Sequence, residues 1–330
     1  MKVLSLFDGI SCGRLALGRA GIPVEKYYAS EIDKYAIQIA QKNYPDTIQV
    51  GDVTKLNYLE LLDVDLVMGG SPCQDLSIAK QNREGLRGAR SGLFWKYVEA
   101  LEVIKPKWFL LENVASMRNE DRDAITETLR KLYPETECIM INSALVSAQQ
   151  RKRYYWTNWH VEQPQDKGIL LKDVLESGSG VGVPCALRSW PRIKKEGIER
   201  FKRLETKTDE KANSLTSVQT DSMVCEPVRI GELDGLGKGQ ANRIYSVRGK
   251  SVCLNANGGG GGAKTGLYKV DLPDGDYIIR KLTPVECERL QTLPDDYTGG
   301  ISDTQRYKCC GNGWTVDVIA HILKGIKDEE

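Results

Sequence analysis

The sequence predicts an α/β fold: a mostly parallel sheet flanked by helices, with a small irregular segment inserted before the last elements. Three observations carry this. Through the first ~160 residues, short apolar runs alternate with helix-like stretches, the pattern of strand–helix–strand units. Each apolar run stops at a turn that holds a polar residue with chemistry: a carboxylate, or glycines leading to a cysteine. From about Gln165 to Tyr277 the alternation fades, and it returns at Arg280.

Taken in order, Lys2–Phe7 reads as a first strand stopped by Asp8-Gly9, and a helix over Gly13–Ala20 stops at Gly21. Tyr27–Ser30 leads to Glu31 as a second strand. Asp33 suits the cap of a helix Lys34–Asn43, because a short carboxylate accepts the orphan N–H groups of a first turn, and Pro45 ends that helix. Ile48–Val50 runs into Gly51-Asp52, Asp65–Met68 into Gly69-Gly70-Ser71-Pro72, and Trp108–Leu111 into Glu112-Asn113. In open α/β sheets ligands bind beyond the carboxyl ends of the strands, so these turns are expected to line one pocket edge. In the irregular segment Gly178–Gly182 is linker-like, Gly258–Gly262 is an unbroken glycine run, and Arg188–Lys211 carries nine Lys/Arg against five Asp/Glu. Arg243–Leu254 reads as a hairpin turning at Arg248-Gly249. After Arg280, Leu282-Thr283-Pro284 opens a helix Val285–Leu293, and Cys310–Trp314 precedes an apolar helix Val316–Leu323.

Composition excludes more than it assigns. The 330 residues suit one large domain, or a large one with a small one, and can bury a core without staples. A net charge of +1 means that a nucleic-acid surface would need its positive charge concentrated locally. The nine cysteines are scattered and form no C-x-x-C pair, so neither a disulfide framework nor a zinc site is suggested, and no metal is expected. Two histidines supply Ser-His-Asp chemistry poorly. No stretch of ~20 apolar residues occurs, and the N-terminus goes straight into a strand, so the expected location is the cytoplasm, without a membrane.

The turns carry the chemistry. Phe7-Asp8-Gly9-Ile10-Ser11-Cys12-Gly13 is a glycine-bearing first turn that is not G-x-G-x-x-G. Glu31 suits a ribose diol, and Asp52 suits an adenine amino group. Together they describe an adenosine pocket that need not hold a pyrophosphate. Alone, each acid reads more readily as a helix cap or turn former, and it is their common placement after successive strands that favours the pocket. Cys73, in Gly70-Ser71-Pro72-Cys73-Gln74, is a nucleophile if its thiolate is stabilised and otherwise a small buried apolar residue. Glu112 is placed to hydrogen-bond a ring nitrogen. Arg151 and Arg153 would share one side of a strand, or form a solvated basic patch.

In order and approximate spacing, this set resembles the cytosine-C5 DNA methyltransferase family, of prokaryotic or phage type. The matching motifs are F-D-G-x-S-x-G at Phe7–Gly13, G-S-P-C-Q at Gly70–Gln74, E-N-V at Glu112–Val114 and Q-x-R-x-R at Gln149–Arg153, then R-K-L-T-P-x-E-C-x-R-L-Q at Arg280–Gln291 and G-N-G at Gly311–Gly313. Leu76 where the family often has Phe, and Trp314 in the last motif, resemble the animal de novo branch. The resemblance implies a Rossmann-like S-adenosylmethionine-dependent methyltransferase sheet. Residues 1–164 would form the catalytic and cofactor-binding domain, 165–278 a small irregular target-recognition domain, and 279–330 the return to the catalytic domain.

It also implies an activity: methyl transfer from S-adenosyl-L-methionine to C5 of a cytosine flipped out of a specific duplex sequence, through a Cys73–C6 adduct, leaving S-adenosyl-L-homocysteine. Glu112 would contact N3 and the exocyclic amine, Arg153 would contact O2, and Arg151 would position Arg153 or Cys73. The cofactor would meet Phe7, Asp8, Gly9, Ser11 and Gly13 in the first turn. Further along it would meet Glu31, Ile32, Asp52, Val53, Gly70, Pro72, Leu93, Asn312 and Trp314. The loop Gln74–Ser91 is expected to act as a lid. Double-stranded DNA is the implied partner, met by a monomer, with a cognate restriction endonuclease in the same system. The rivals are an RNA cytosine methyltransferase, disfavoured by Ser71 where those relatives usually carry proline; a nicotinamide dehydrogenase, disfavoured by the missing G-x-G-x-x-G; and an inactive DNA-binding regulator, disfavoured by intact Cys73, Glu112 and Arg153.

Overall fold

The computed structural model describes residues 1–71, 92–176, 229–232, 243–247, 249–254, 267–271, 277–280 and 282–328. Pro72, Cys73, the Gln74–Ser91 loop, Gly178–Gly182, the basic stretch Arg188–Lys211, Arg248 and the glycine run Gly258–Gly262 lie outside the described residues.

The central sheet has seven strands: β1 (Lys2–Leu6), β2 (Lys26–Ser30), β3 (Ile48–Gln49), β4 (Leu66–Gly70), β5 (Trp108–Val114), β6 (Glu137–Asn142) and β7 (Lys152–Thr157). Their spatial order is β3-β2-β1-β4-β5-β7-β6. The first five run parallel, and β7 pairs antiparallel with both β5 and β6. The order reverses between β1 and β4, which is where an open α/β sheet leaves a crevice for a ligand.

Alternation along the strands sends side chains to two cores. Val3, Leu66, Met68, Trp108 and Leu110 join one core. Leu4, Leu6, Val67, Phe109 and Leu111 join the other. The first core is covered by α1 (Cys12–Ala20), α2 (Lys34–Asn43) and α7 (Val316–Asp328), the second by α3 (Gly92–Ile104) and α4 (Asn119–Leu132). In α7, Val318, Ile319, Ile322, Leu323 and Ile326 recur at helical spacing and are buried. Each such side chain contributes ~1.5–3 kcal/mol by leaving water. Asp33 caps α2 by accepting from the N–H groups of Tyr35 and Ala36.

Two expected boundaries shift. β5 continues through Glu112, Asn113 and Val114, because that backbone pairs with Gly70 of β4 on one side and with Tyr155, Tyr154 and Arg153 of β7 on the other. Polar side chains do not end a strand whose backbone ladder continues, here on both edges at Glu112 and along β7 through Val114. Cys310, Gly311 and Asn312 belong to the last turn of α6 (Asp303–Asn312).

The irregular segment contains a second sheet. Its strands are β8 (Arg229–Glu232), β9 (Arg243–Ser246), β10 (Leu267–Asp271) and β11 (Tyr277–Arg280), in the order β11-β10-β9-β8. The expected hairpin over Arg243–Leu254 does not form. β9 takes β8 as its antiparallel and β10 as its parallel neighbour, and Ser251 bridges instead to Gln149 of the catalytic part. Tyr245, Val247, Leu254 and Tyr268 pack with Ala148, Leu171 and Cys310 and with Leu282, Cys287 and Leu290 around α5 (Pro284–Leu290) in a third core. α5 starts on a capping box: Thr283 accepts from Glu286 N, and Glu286 accepts from Thr283 N. It ends at Leu290, three residues short of the expected Leu293.

Candidate active site

The turns after β1 to β5 converge with the end of α6 on one cavity of about 360 Å³, within the range of roughly 300–1,000 Å³ usual for small-molecule sites. The first turn is conformationally demanding. Phe7 and Ser11 both sit at φ 59°, where a β-carbon is disfavoured, on either side of Gly9 at φ 62°. Glu31 holds this turn. Its Oε2 accepts from Gly9 N at 2.8 Å, and its Oε1 accepts from Ile32 N and Asp33 N at 2.7 and 2.8 Å. Asp8 is turned inward, accepting from Ser11 Oγ at 2.5 Å and Tyr27 OH at 2.7 Å. Burial raises its carboxyl above the usual value, against the pull of those donors.

The cavity brings together Phe7, Asp8, Gly9, Glu31, Ile32, Asp52 and Val53 with Gly70, Leu93, Asn312 and Trp314. Ser11 and Gly13 do not line it. Ser11 serves Asp8, and Gly13 serves packing, since a β-carbon there would lie 2.5 Å from Met68 Cε and 3.2 Å from Trp314 Cζ3. Ile32 is 76% exposed at the cavity wall, an uncovered apolar face beside the Glu31 carboxylate. Asp52 accepts from Thr54 N and Oγ1 through Oδ1 alone, which leaves Oδ2 for a ligand donor. Its role as a turn former is thus real and does not exhaust its carboxylate.

At the far end two charged side chains pair. Glu112 and Arg153, from neighbouring strands β5 and β7, form an ion pair with Nε–Oε1 2.8 Å, both side chains largely buried. Trp314 Nε1 donates to Glu112 Oε2 at 3.3 Å. Gly70 makes room for this contact, because a β-carbon there would lie 2.8 Å from Glu112 Oε2 and 3.0 Å from Trp314 Nε1. Arg151 is 4% exposed and lines the same cavity, with its hydrogen bonds running to the closing segment: Gly311 O, Gly313 O and Leu254 O.

The cavity's own cysteines are poor nucleophiles. Burial pushes Cys12 and Cys309 up to about 12, which keeps both protonated at neutral pH. Cys253, 3.5 Å from Arg151 Nη1, behaves differently: burial would raise its thiol, but the charges of Arg151 and Arg153 outweigh that and hold it below the usual value.

Sequence reasoning missed Lys308, which lines the cavity and pairs with Asp33 Oδ2 at 2.5 Å. The available signal was its place four residues before Asn312, one turn away on the same helix face. Among the described residues no group of three or more His, Cys, Asp or Glu side chains could hold a metal ion, and no helix is long and apolar enough to cross a membrane.

A profile of the C-5 cytosine-specific DNA methylase family matches residues 1–328. The chain belongs to this family. As a C-5 cytosine DNA methylase it is a DNA cytosine-5 methyltransferase, with DNA as its substrate and S-adenosylmethionine as the family's methyl donor. It is 28% identical to the orphan methyltransferase M.SPRI of Bacillus phage SPR, over 98% of this chain and 97% of that protein. It is 29% identical to the type II methyltransferase M.HhaI of Haemophilus parahaemolyticus, over 99% and 94% respectively. The fold is shared with the Entamoeba histolytica methyltransferase EhMeth (TM-score 0.66, 18% identity, covering 100% of this chain and 98% of that one) and with the S. pombe Dnmt2 methyltransferase (0.66, 18%, 100% and 99%). In this methylase the cavity is lined by Ile32, Val53, Glu31 and Asp52, and the Glu112–Arg153 pair, 2.8 Å apart, lies at its other end.

Proposed function

We propose that this methylase moves a methyl group from S-adenosylmethionine to C5 of one cytosine within a specific duplex sequence, that the cytosine is flipped out of the helix, and that Cys73 forms a transient bond to its C6. The observation that carries this reading is the Glu112–Arg153 pair at the end of a nucleoside-sized cavity. When bound, the cofactor supplies an electrophilic methyl group on a sulfonium. Everything else falls to the protein and the base.

Cytosine C5 is a weak nucleophile. Addition of the Cys73 thiolate to C6 forms an S–C6 bond and shifts the C5–C6 π electrons toward C4 and N3, so C5 gains enamine character. Glu112 contacts N3 and favours its protonation as that charge arrives. Its Oε2, with only the 3.3 Å bond from Trp314, accepts from the exocyclic amine. Arg153 donates to O2, and a preorganised guanidinium in a water-poor site stabilises developing charge strongly. After methylation, loss of the C5 proton restores the double bond and expels the thiolate. Unstacking the base costs a few kcal/mol, offset by these contacts. Glu31 would take the ribose hydroxyls, Ile32 and Val53 the adenine faces and Asp52 its amino group.

Residues 165–278 would read the DNA, as a monomer. A cognate endonuclease is the second partner in this reading. The test is transfer of labelled methyl to duplex DNA and to tRNA by wild type and by Cys73→Ser. The expected result is label in DNA from wild type alone. Label in tRNA only would favour an RNA substrate, and undiminished transfer by Cys73→Ser would remove Cys73 from the mechanism.

A further inference from the structure

Lys250 is 1% exposed, a charged side chain taken fully out of water. Its Nζ donates to Ala144 O at 2.8 Å, to Ser147 O at 3.0 Å and to Ile169 O. An ammonium has three donors and no acceptor, so three carbonyls match it. The three belong to segments that are distinct in the chain. Ala144 and Ser147 lie in the turn between β6 and β7, just before Arg151 and Arg153. Ile169 lies where the chain leaves the catalytic sheet, and Lys250 lies where it comes back after β9.

The backbone around Lys250 is stitched to the same place. Leu171 N donates to Gly249 O and Lys172 N to Val247 O, while Ser251 N donates to Ala148 O and Gln150 N to Ser251 O. Gln149 Oε1 accepts from Leu254 N at 3.1 Å. A buried apolar side chain would fill the same volume without the cost of desolvating a charge. What the ammonium adds is a fixed meeting point for the outgoing segment at Ile169, the returning segment at Lys250 and the turn that precedes the two arginines.

We infer that Lys250 is a positioning residue that sets the second sheet at a fixed distance from Arg151 and Arg153, so that DNA held by one is presented in register to the other. This rests on reading residues 165–278 as the DNA-recognition part. A displacement of about 1 Å between a binding surface and its chemistry costs on the order of 100-fold in rate, so a rigid junction has a direct catalytic use. The cofactor cavity does not include Lys250, and its loss is therefore expected to separate DNA binding from cofactor binding.

The test is Lys250→Met, which keeps the stem and removes the charge. The readouts are calorimetric affinity for S-adenosylhomocysteine, KM and kcat on a duplex carrying the motif that bisulfite sequencing returns for wild type, and the spread of methylation outside that motif. The expected result is cofactor-product affinity within twofold of wild type, KM for DNA raised and kcat lowered tenfold or more, and methylation reaching other cytosines. Unchanged KM and unchanged site preference would overturn the inference. So would a loss of S-adenosylhomocysteine affinity by the same factor as DNA affinity, which would make Lys250 a general support of the fold. If Lys250→Met does not fold, Lys250→Gln carries the same measurements with the same two outcomes. Wild type that methylates no DNA would overturn the underlying reading, a result seen before any variant is made.

Discussion

At the scale of single residues, the site divides its carboxylates by environment. Asp8 is buried among hydroxyl donors and builds the first turn, whereas Glu112 shares its two oxygens between Arg153 and Trp314 at the cavity edge. Glu112→Gln keeps the volume and removes the carboxylate that pairs with Arg153. Turnover on DNA is expected to fall on the order of 100- to 10,000-fold, with S-adenosylhomocysteine affinity within a few-fold of wild type. Steady-state kinetics beside calorimetry check this, and equal loss in both would place Glu112 in cofactor binding instead. Most of these residues were legible in the sequence because each follows a strand. The motif did not show which way its small residues face: Gly13 lies against the Met68 and Trp314 side chains, and Ser11 donates to Asp8. Lys308 was missed because Cys310–Trp314 looked like a separate turn, and only the continuation of α6 through Asn312 puts Lys308 on the cavity.

At the scale of elements, Asp33 does two jobs with its two oxygens. Oδ1 caps α2, and Oδ2 binds Lys308 on α6, while its own N–H is held by Glu31. Burial would raise the Asp33 carboxyl, but Lys308 and the amides of Tyr35 and Ala36 reverse that and leave it below its ordinary value. A carboxylate with a lowered folded value stabilises above its unfolded value near 3.8 and loses that contribution as pH falls toward the folded one. Asp33→Ala is therefore expected to cost about 1 kcal/mol at neutral pH, as lost N-caps do, and to match wild type in strongly acid solution. Urea unfolding at several pH values checks it, and a gap independent of pH would contradict the assigned cause. The cap itself was readable from Asp33 preceding an amphipathic run. The end of β5 was not, because a strand that continues through Glu-Asn looks like a turn until both neighbouring strands are in place.

At the scale of the whole molecule, the seven-stranded part was legible and the second sheet was not, for one physical reason. Parallel strands buried on both faces give continuous apolar runs, and their turns fall at the sheet's carboxyl edge. The second sheet is built from short strands in mixed pairing, β9 parallel to β10 and antiparallel to β8, with a shift of register between Arg229 and Gly231. No local period marks such a sheet. Its junction with the catalytic part is made by a third core and by Lys250, contacts that run between Ala144 and Leu290 in sequence and leave no local trace. In the proposed reading the first part holds the cofactor and activates the base, and the second chooses the base.

The most direct test of that account is nucleoside analysis of duplex DNA after incubation with the protein and S-adenosylmethionine carrying a labelled methyl group. The predicted result is label confined to 5-methyl-2′-deoxycytidine, abolished by Cys73→Ser and strongly reduced by Arg153→Met. Label on an adenine or on a cytosine amino nitrogen, or label in 5-methyl-2′-deoxycytidine that survives Cys73→Ser, would contradict it.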